Sequence, residues 1–82
     1  MIPDSRVLRQ ALLEVLKDNP DGLNNRIIDS LVASKISLPD DDFKKIRNGN
    51  RTEFSYRMSW ERTHAKSRGE IIRIRAGVWK LT

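Results

Sequence analysis

The sequence predicts a mainly α fold closed by a small antiparallel β-hairpin. Three observations carry that expectation. Residues Arg51 to Ser67 recur at helical spacing with a polar outer face, Glu70 to Thr82 read as a basic two-stranded hairpin, and positive charge gathers in this last part of the chain. Residues 47–82 hold nine Lys or Arg against three Glu, whereas residues 1–46 hold seven against eight acids, so the net charge of +5 lies in the later residues. A helix followed directly by a basic hairpin is how a winged helix-turn-helix is built, and residues 1–82 are read as one such domain.

Taken in order, Pro3, Asp4 and Ser5 form a cap and first turn. Val7, Leu8, Ala11, Leu12, Val15 and Leu16 then recur at helical spacing as far as Lys17. Asp18 to Gly22 is a turn, and Leu23 after it adds a short strand beside the hairpin. Asn24 caps a second helix with Ile27, Ile28, Leu31, Val32 and Ile36 as its apolar stripe and Arg26, Asp29, Ser30 and Ser34 on its polar side. Leu38-Pro39 breaks it. Pro39 at a first helical position, followed by Asp40, Asp41 and Asp42, starts a short third helix ending near Ile46, because acids favour the positive end of the helix dipole.

Arg47 to Asn50 is read as a loop into the fourth helix. Asn50 is its expected cap, with Glu53 reaching back, and Gly69 is its stop, with Lys66 and Arg68 at the negative end of the dipole. At about 100° per residue, Phe54, Met58, Ala65 and the stem of Glu61 form the inner face. Thr52, Tyr56, Ser59, Thr63, Lys66 and Ser67 form the outer one. In the hairpin, Ile71, Ile72 and Ile74 face Val78, Trp79 and Leu81 across a turn at Arg75, Ala76 and Gly77.

Composition excludes several functions. There is no cysteine, so no disulfide framework or Cys-rich zinc site, and the single His64 cannot complete a zinc shell alone. Residues 1–9 lack an apolar signal core, and no apolar stretch approaches the roughly 20 residues of a membrane span, so a cytoplasmic location is expected. The four glycines are isolated turn residues, not a phosphate loop. Pro39-Asp40 and Asp42-Phe43-Lys44 spell a metal-dependent nuclease pattern in compressed form. Its carboxylates belong on separate strands converging on one ion, which a helix start cannot reproduce. The domain is therefore expected to bind rather than catalyse, with no catalytic residue, metal or cofactor of its own.

Concentrated positive charge suits a polyanion, since Lys and Arg that displace condensed counterions gain salt-dependent affinity. On the helix, Tyr56, Ser59, Thr63 and Lys66 are the candidates for base edges or phosphates, with Thr52 beside them, and Arg51, Arg57 and Arg62 for the backbone. The competing reading is a solvated helix face. Trp60, at the border of the faces, either packs under the hairpin, the preferred reading, or stacks on an exposed base. Trp79 alternates with Leu81 and is read as core. Arg73, Arg75 and Lys80 make the hairpin a phosphate or minor-groove contact, or else only protect a sheet edge.

The run Arg57-Met58-Ser59-Trp60-Glu61-Arg62-Thr63-His64, then Gly69, Ile71 and the ending Arg75-Ala76-Gly77-Val78-Trp79-Lys80-Leu81-Thr82 resembles the N-terminal domain of Mrr-type restriction endonucleases. So do the apolar start of the first helix, Arg26 to Leu31, and the acidic stretch after Leu38. The resemblance covers almost the whole chain. It departs where an aliphatic residue is usual, at Ala65 and Glu70. It implies a winged-helix domain binding double-stranded DNA, fused to or associated with a metal-dependent nuclease that attacks foreign or modified, often methylated, DNA. Residues 1–82 are then expected to be a domain cut from a longer protein. Two alternatives stand beside it: a small transcriptional regulator binding its site as a homodimer, and a protein-interaction winged helix docking an acidic partner.

Overall fold

The computed structural model describes residues 1–82. The first helix, α1 (Ser5–Lys17), starts where the Asp4 carboxylate accepts from the Val7 N–H at 3.1 Å. Its face of Leu8, Ala11, Leu12, Val15 and Leu16 is buried. Gly22 follows at φ +96°, where an added Cβ would lie 2.9 Å from both the Trp79 carbonyl oxygen and Ile74 Cδ1. Only glycine fits that approach. It lets the short strand β1 (Leu23–Asn24) lie against the C-terminal hairpin.

The Asn24 side chain then accepts from the Ile27 N–H at 2.9 Å and opens α2 (Asn25–Lys35). The buried face of α2 is Ile28, Asp29, Val32 and Ala33, rotated from the expected stripe, and Ile27 and Leu31 are exposed. The reason is tertiary: Asp29, expected on the polar side, turns inward to meet Arg62 of the fourth helix. α2 ends through Ser37, which adopts a left-handed φ of 55° before Leu38-Pro39.

Pro39 is the residue before α3 (Asp40–Lys44), not its first, and the three aspartates fill the first turn. The helix stops short of Ile46 because Ile46 already belongs to a strand. β2 (Ile46–Asn48) and β3 (Arg51–Thr52) form a second hairpin where a loop is expected from the sequence. The turn carries Gly49 at φ +51°. Asn48-Gly49-Asn50 between Ile46 and Thr52 is a hairpin signal of the Asn-Gly kind, and it is the local clue to this element.

That hairpin moves the start of α4 (Glu53–Ser67). Thr52, not Asn50, is the cap, its hydroxyl accepting from the Ser55 N–H at 3.0 Å. Glu53 does not reach back, and instead accepts from Arg47 Nη1 at 3.1 Å on each carboxylate oxygen. The inner face is as expected: Phe54, Met58, Glu61 and Ala65 are buried. Gly69 stops the helix at φ +76°, and the Glu70 N–H donates to the Ala65 carbonyl.

β4 (Ile71–Arg75) and β5 (Val78–Leu81) pair antiparallel with Ile71 opposite Leu81 and Arg73 opposite Trp79, and a bulge follows Arg73. β1 adds to the far side of β5, giving the order β1-β5-β4. Of the three isoleucines only Ile71 is buried, while Ile72 and Ile74 are exposed. Trp79, read as core, is half-buried against it, and its Nε1 donates to Asn25 Oδ1 at 2.8 Å.

The result is a small α+β domain of four helices, a three-stranded antiparallel sheet and a two-stranded one. One core joins α1, α2 and α4 to Ile71, with Leu8, Leu12, Leu16, Ile28, Val32, Phe54 and Met58 fully inside. Truncating any of these large residues to alanine is expected to cost about 2–5 kcal/mol. Phe43 of α3 packs on Phe54 with ring centroids 5.8 Å apart, which seats the second hairpin at the start of α4. No helix is long and apolar enough to cross a membrane.

Candidate nucleic-acid interface

Since α4 buries Phe54, Met58, Glu61 and Ala65, its helical period directs Tyr56, Ser59 and Thr63 away from the core. The second hairpin delivers two cations onto this face. The Arg47 guanidinium lies over the Tyr56 ring at 3.6 Å, and that of Arg51 lies 5.4 Å from the same centroid. Arg51 Nη2 also donates to Ser59 Oγ at 2.9 Å. Arg51 is expected inside the helix; on β3 it reaches across it instead. Arg47 is not among the expected site residues.

The hydroxyls on this face are already engaged. Ser59 Oγ donates to the Tyr56 carbonyl at 2.7 Å, Thr63 Oγ1 donates to the Ser59 carbonyl at 3.0 Å, and Thr52 is the cap. In this state Thr63 offers a ligand its oxygen lone pairs and Ser59 only the one that Arg51 leaves, and donating to a ligand would mean giving up the helix carbonyl. Lys66, one turn on, is exposed.

Trp60 does not pack under the C-terminal hairpin. It is 49 % exposed, edge-on to Tyr56 with centroids 6.4 Å apart and tilted against His64 at 5.9 Å. The three rings stand at i, i+4 and i+8 on one side of α4.

Two expected backbone contacts are not available. Arg62 is 5 % exposed, and its Nη1 donates to Asp29 Oδ1 at 2.7 Å inside the domain. At the helical period only about 80° separates Arg62 from Phe54 on the buried face, and an acid from α2 waits there. Arg57 is half-buried and donates from Nη2 to the Pro3 carbonyl at 2.9 Å, tying α4 to the N-terminal segment. Arg73 and Arg75 are exposed on the last hairpin, and Lys80 is half-buried opposite Ile72. No hydrogen bond or ion pair joins these three to the Arg47–Tyr56 cluster.

Between the start of α2, the β2–β3 turn and the start of α4 runs an open groove of about 680 Å³. Asn25, Arg26, Ser30, Asn48, Asn50 and Arg51 supply polar walls, and Phe43 and Phe54 an apolar floor. Asp29 also lines it. Burial pushes the Asp29 carboxyl up from 3.8 to about 6, against the lowering effect of the Arg62 charge and hydrogen bond and of the Arg51 charge. No three His, Asp or Glu side chains gather in a way that could hold a metal ion. The aspartates of α3 cap its dipole, and Asp42 pairs with the amino group of Met1.

What the arrangement offers is recognition of an anionic, ring-bearing ligand: paired guanidiniums, a row of aromatic rings and hydroxyl acceptors on one helix. No curated protein and no solved structure matches the chain. The family model of the Mrr N-terminal domain matches residues 7–82, essentially the whole chain, and the chain thus belongs to the Mrr N-terminal domain family.

Proposed function

We propose that this is a winged-helix domain that recognises duplex DNA as the targeting part of a restriction system. The observation that carries the reading is the convergence of Arg47 and Arg51 on Tyr56 and Ser59 in the N-terminal half of α4. Two cations beside hydrogen-bonding groups on one helix face are what a groove-entering helix needs, the charges for phosphates and the remainder for base edges. Topology supports it as well. Leaving out α3 and the β2–β3 hairpin, the order is helix, strand, two helices and a hairpin with the sheet order β1-β5-β4. In that scheme α4 enters the major groove and β4–β5 is the wing, with Arg73, Arg75 and Lys80 toward the backbone or minor groove. The family membership supports a place in restriction.

The domain performs no reaction itself in this reading. Cleavage belongs to a nuclease domain fused to it or associated with it, acting in the cytoplasm on foreign DNA. The apolar edge of Trp60 beside the hydroxyls of α4 suits a groove carrying an added methyl group, so a modified duplex is the proposed target.

The test is a titration against matched duplexes, unmodified, cytosine-methylated and adenine-methylated, at two salt concentrations. Preference for a modified duplex that survives higher salt supports the full reading. Equal, tight binding to all three removes the modification and leaves duplex recognition. Preference for one unmodified palindrome by a dimer favours a transcriptional regulator. Loss of all binding near physiological salt overturns the proposal in favour of an acidic protein partner.

A further inference from the structure

Tyr56, Trp60 and His64 make a ladder of rings up one side of α4, with successive centroids 6.4 and 5.9 Å apart. Its lower rung is covered: the Arg47 guanidinium lies over the Tyr56 ring at 3.6 Å and donates to Glu53. Trp60 stands nearly perpendicular to that ring, at 80°, so the two rings touch without stacking. His64 meets it at a tilt of 38°. The indole is braced by its own helix and remains 49 % exposed.

An aromatic ring held in place with about half of its residue surface open is a stacking surface for a nucleobase. The surroundings select the occupant. Ser59, Thr63 and Ser67 around the ladder are small and polar, so the apolar area is one ring wide, too small for the core of a protein interface. Arg47 and Arg51 supply positive charge at the ladder's lower end, suited to the phosphates that flank a nucleotide. A base inside an intact duplex cannot offer its face. A base released at a bulge or mismatch can, at a lower unstacking cost.

We propose that Trp60, braced by Tyr56 and His64, is a platform for one unpaired DNA base. The domain thereby prefers a duplex interrupted by an extrahelical base to the perfect duplex of the same sequence. This rests on the DNA-binding reading above and adds an element to it.

The test is a competition between a perfect duplex and the same duplex carrying one bulged 2-aminopurine, using the whole chain. The bulged duplex should bind about tenfold more tightly, equivalent to about 1.4 kcal/mol, with quenching of the 2-aminopurine emission on binding. Trp60→Ala should bring the ratio of the two affinities to near one and abolish the quenching, and Trp60→Phe should keep part of both. Lys66→Ala should weaken both duplexes and leave the ratio as it was. Thermal unfolding of Trp60→Ala close to that of the parent shows that the platform and not the fold was lost. Equal affinity for both duplexes, or a preference that persists in Trp60→Ala, overturns the inference while duplex binding stands. Absence of binding to either duplex overturns both readings.

Discussion

Arg62 on α4 donates to Asp29 on α2 at 2.7 Å across 33 residues of sequence, with both side chains almost fully enclosed. The pair fixes the distance between the two helices that flank the polar groove. It also takes from the surface a cation that the helical period sets between the buried and the outer face of α4.

Breaking this pair from one side leaves a buried charge without its partner. Arg62→Ala is expected to lower stability by about 3 kcal/mol, whereas Arg62→Met combined with Asp29→Leu, which removes both charges and fills the space, should recover most of the loss. Urea unfolding checks this. In DNA titrations Arg62→Ala should leave the salt slope unchanged at temperatures where it is folded. A slope lower by about one unit would place Arg62 on a phosphate.

Asp29 also makes stability depend on pH in the direction opposite to an ordinary paired carboxylate. Its folded value is raised from 3.8 to about 6, so the folded state holds the proton more tightly than the unfolded one. The stabilisation it adds is fully present below about pH 4 and is lost as pH rises through about 6. At about 1.4 kcal/mol per unit, the change across that window is on the order of 3 kcal/mol. The stability difference between the parent and Asp29→Asn, followed by denaturant unfolding from pH 4 to pH 7.5, should therefore fall with rising pH. A flat difference would mean that Asp29 is ionised throughout, held by Arg62 and Arg51.

Features set by neighbouring residues are legible in the sequence. The caps Asp4 and Asn24, the stop at Gly69, the inner face of α4 and the strand at Leu23 each follow from a few adjacent side chains. The terminal run Gly77-Val78-Trp79-Lys80-Leu81-Thr82 points to the family that the match over residues 7–82 shows. What the sequence hides is set at a distance. The β2–β3 hairpin is only three residues paired with two, too short for alternation to show, and it is seated through Phe43 on Phe54. Arg62 cannot be told from a surface arginine without knowing that α2 turns Asp29 toward it. Trp60 sits between two faces, and its neighbours are rings of its own helix.

The displaced start of α4 gives a local test. Thr52 supplies the cap and Asn50 lies in the turn, exposed. Thr52→Ala should cost about 1 kcal/mol of stability, the usual loss of a side-chain cap. Asn50→Ala should cost less than half as much, as is common for exposed positions. Thermal unfolding of the two variants decides it. The reverse order would restore the helix start that the capping-box pattern at Asn50 and Glu53 suggests.

Arg47 has two roles open to it, and they leave different marks. Its guanidinium lies on Tyr56 while Nη1 is held by both oxygens of Glu53, and its side chain is 38 % exposed. If DNA draws it onto a phosphate, Arg47→Ala should weaken every duplex about equally and lower the slope of log affinity against log salt by about 0.9. Glu53→Gln should then do the reverse in affinity, because the guanidinium no longer has a carboxylate to leave and local negative charge is removed. If Arg47 instead only braces Tyr56, the salt slope in Arg47→Ala should stay as in the parent, and the loss should fall on discrimination between duplexes. The phosphate role is the expected one: the pair with Glu53 is exposed enough for water and salt to weaken it, and a phosphate offers the same two-oxygen geometry with a stronger field. Titrations of both variants at two salt concentrations separate the cases, since a bracing residue cannot change the number of counterions released.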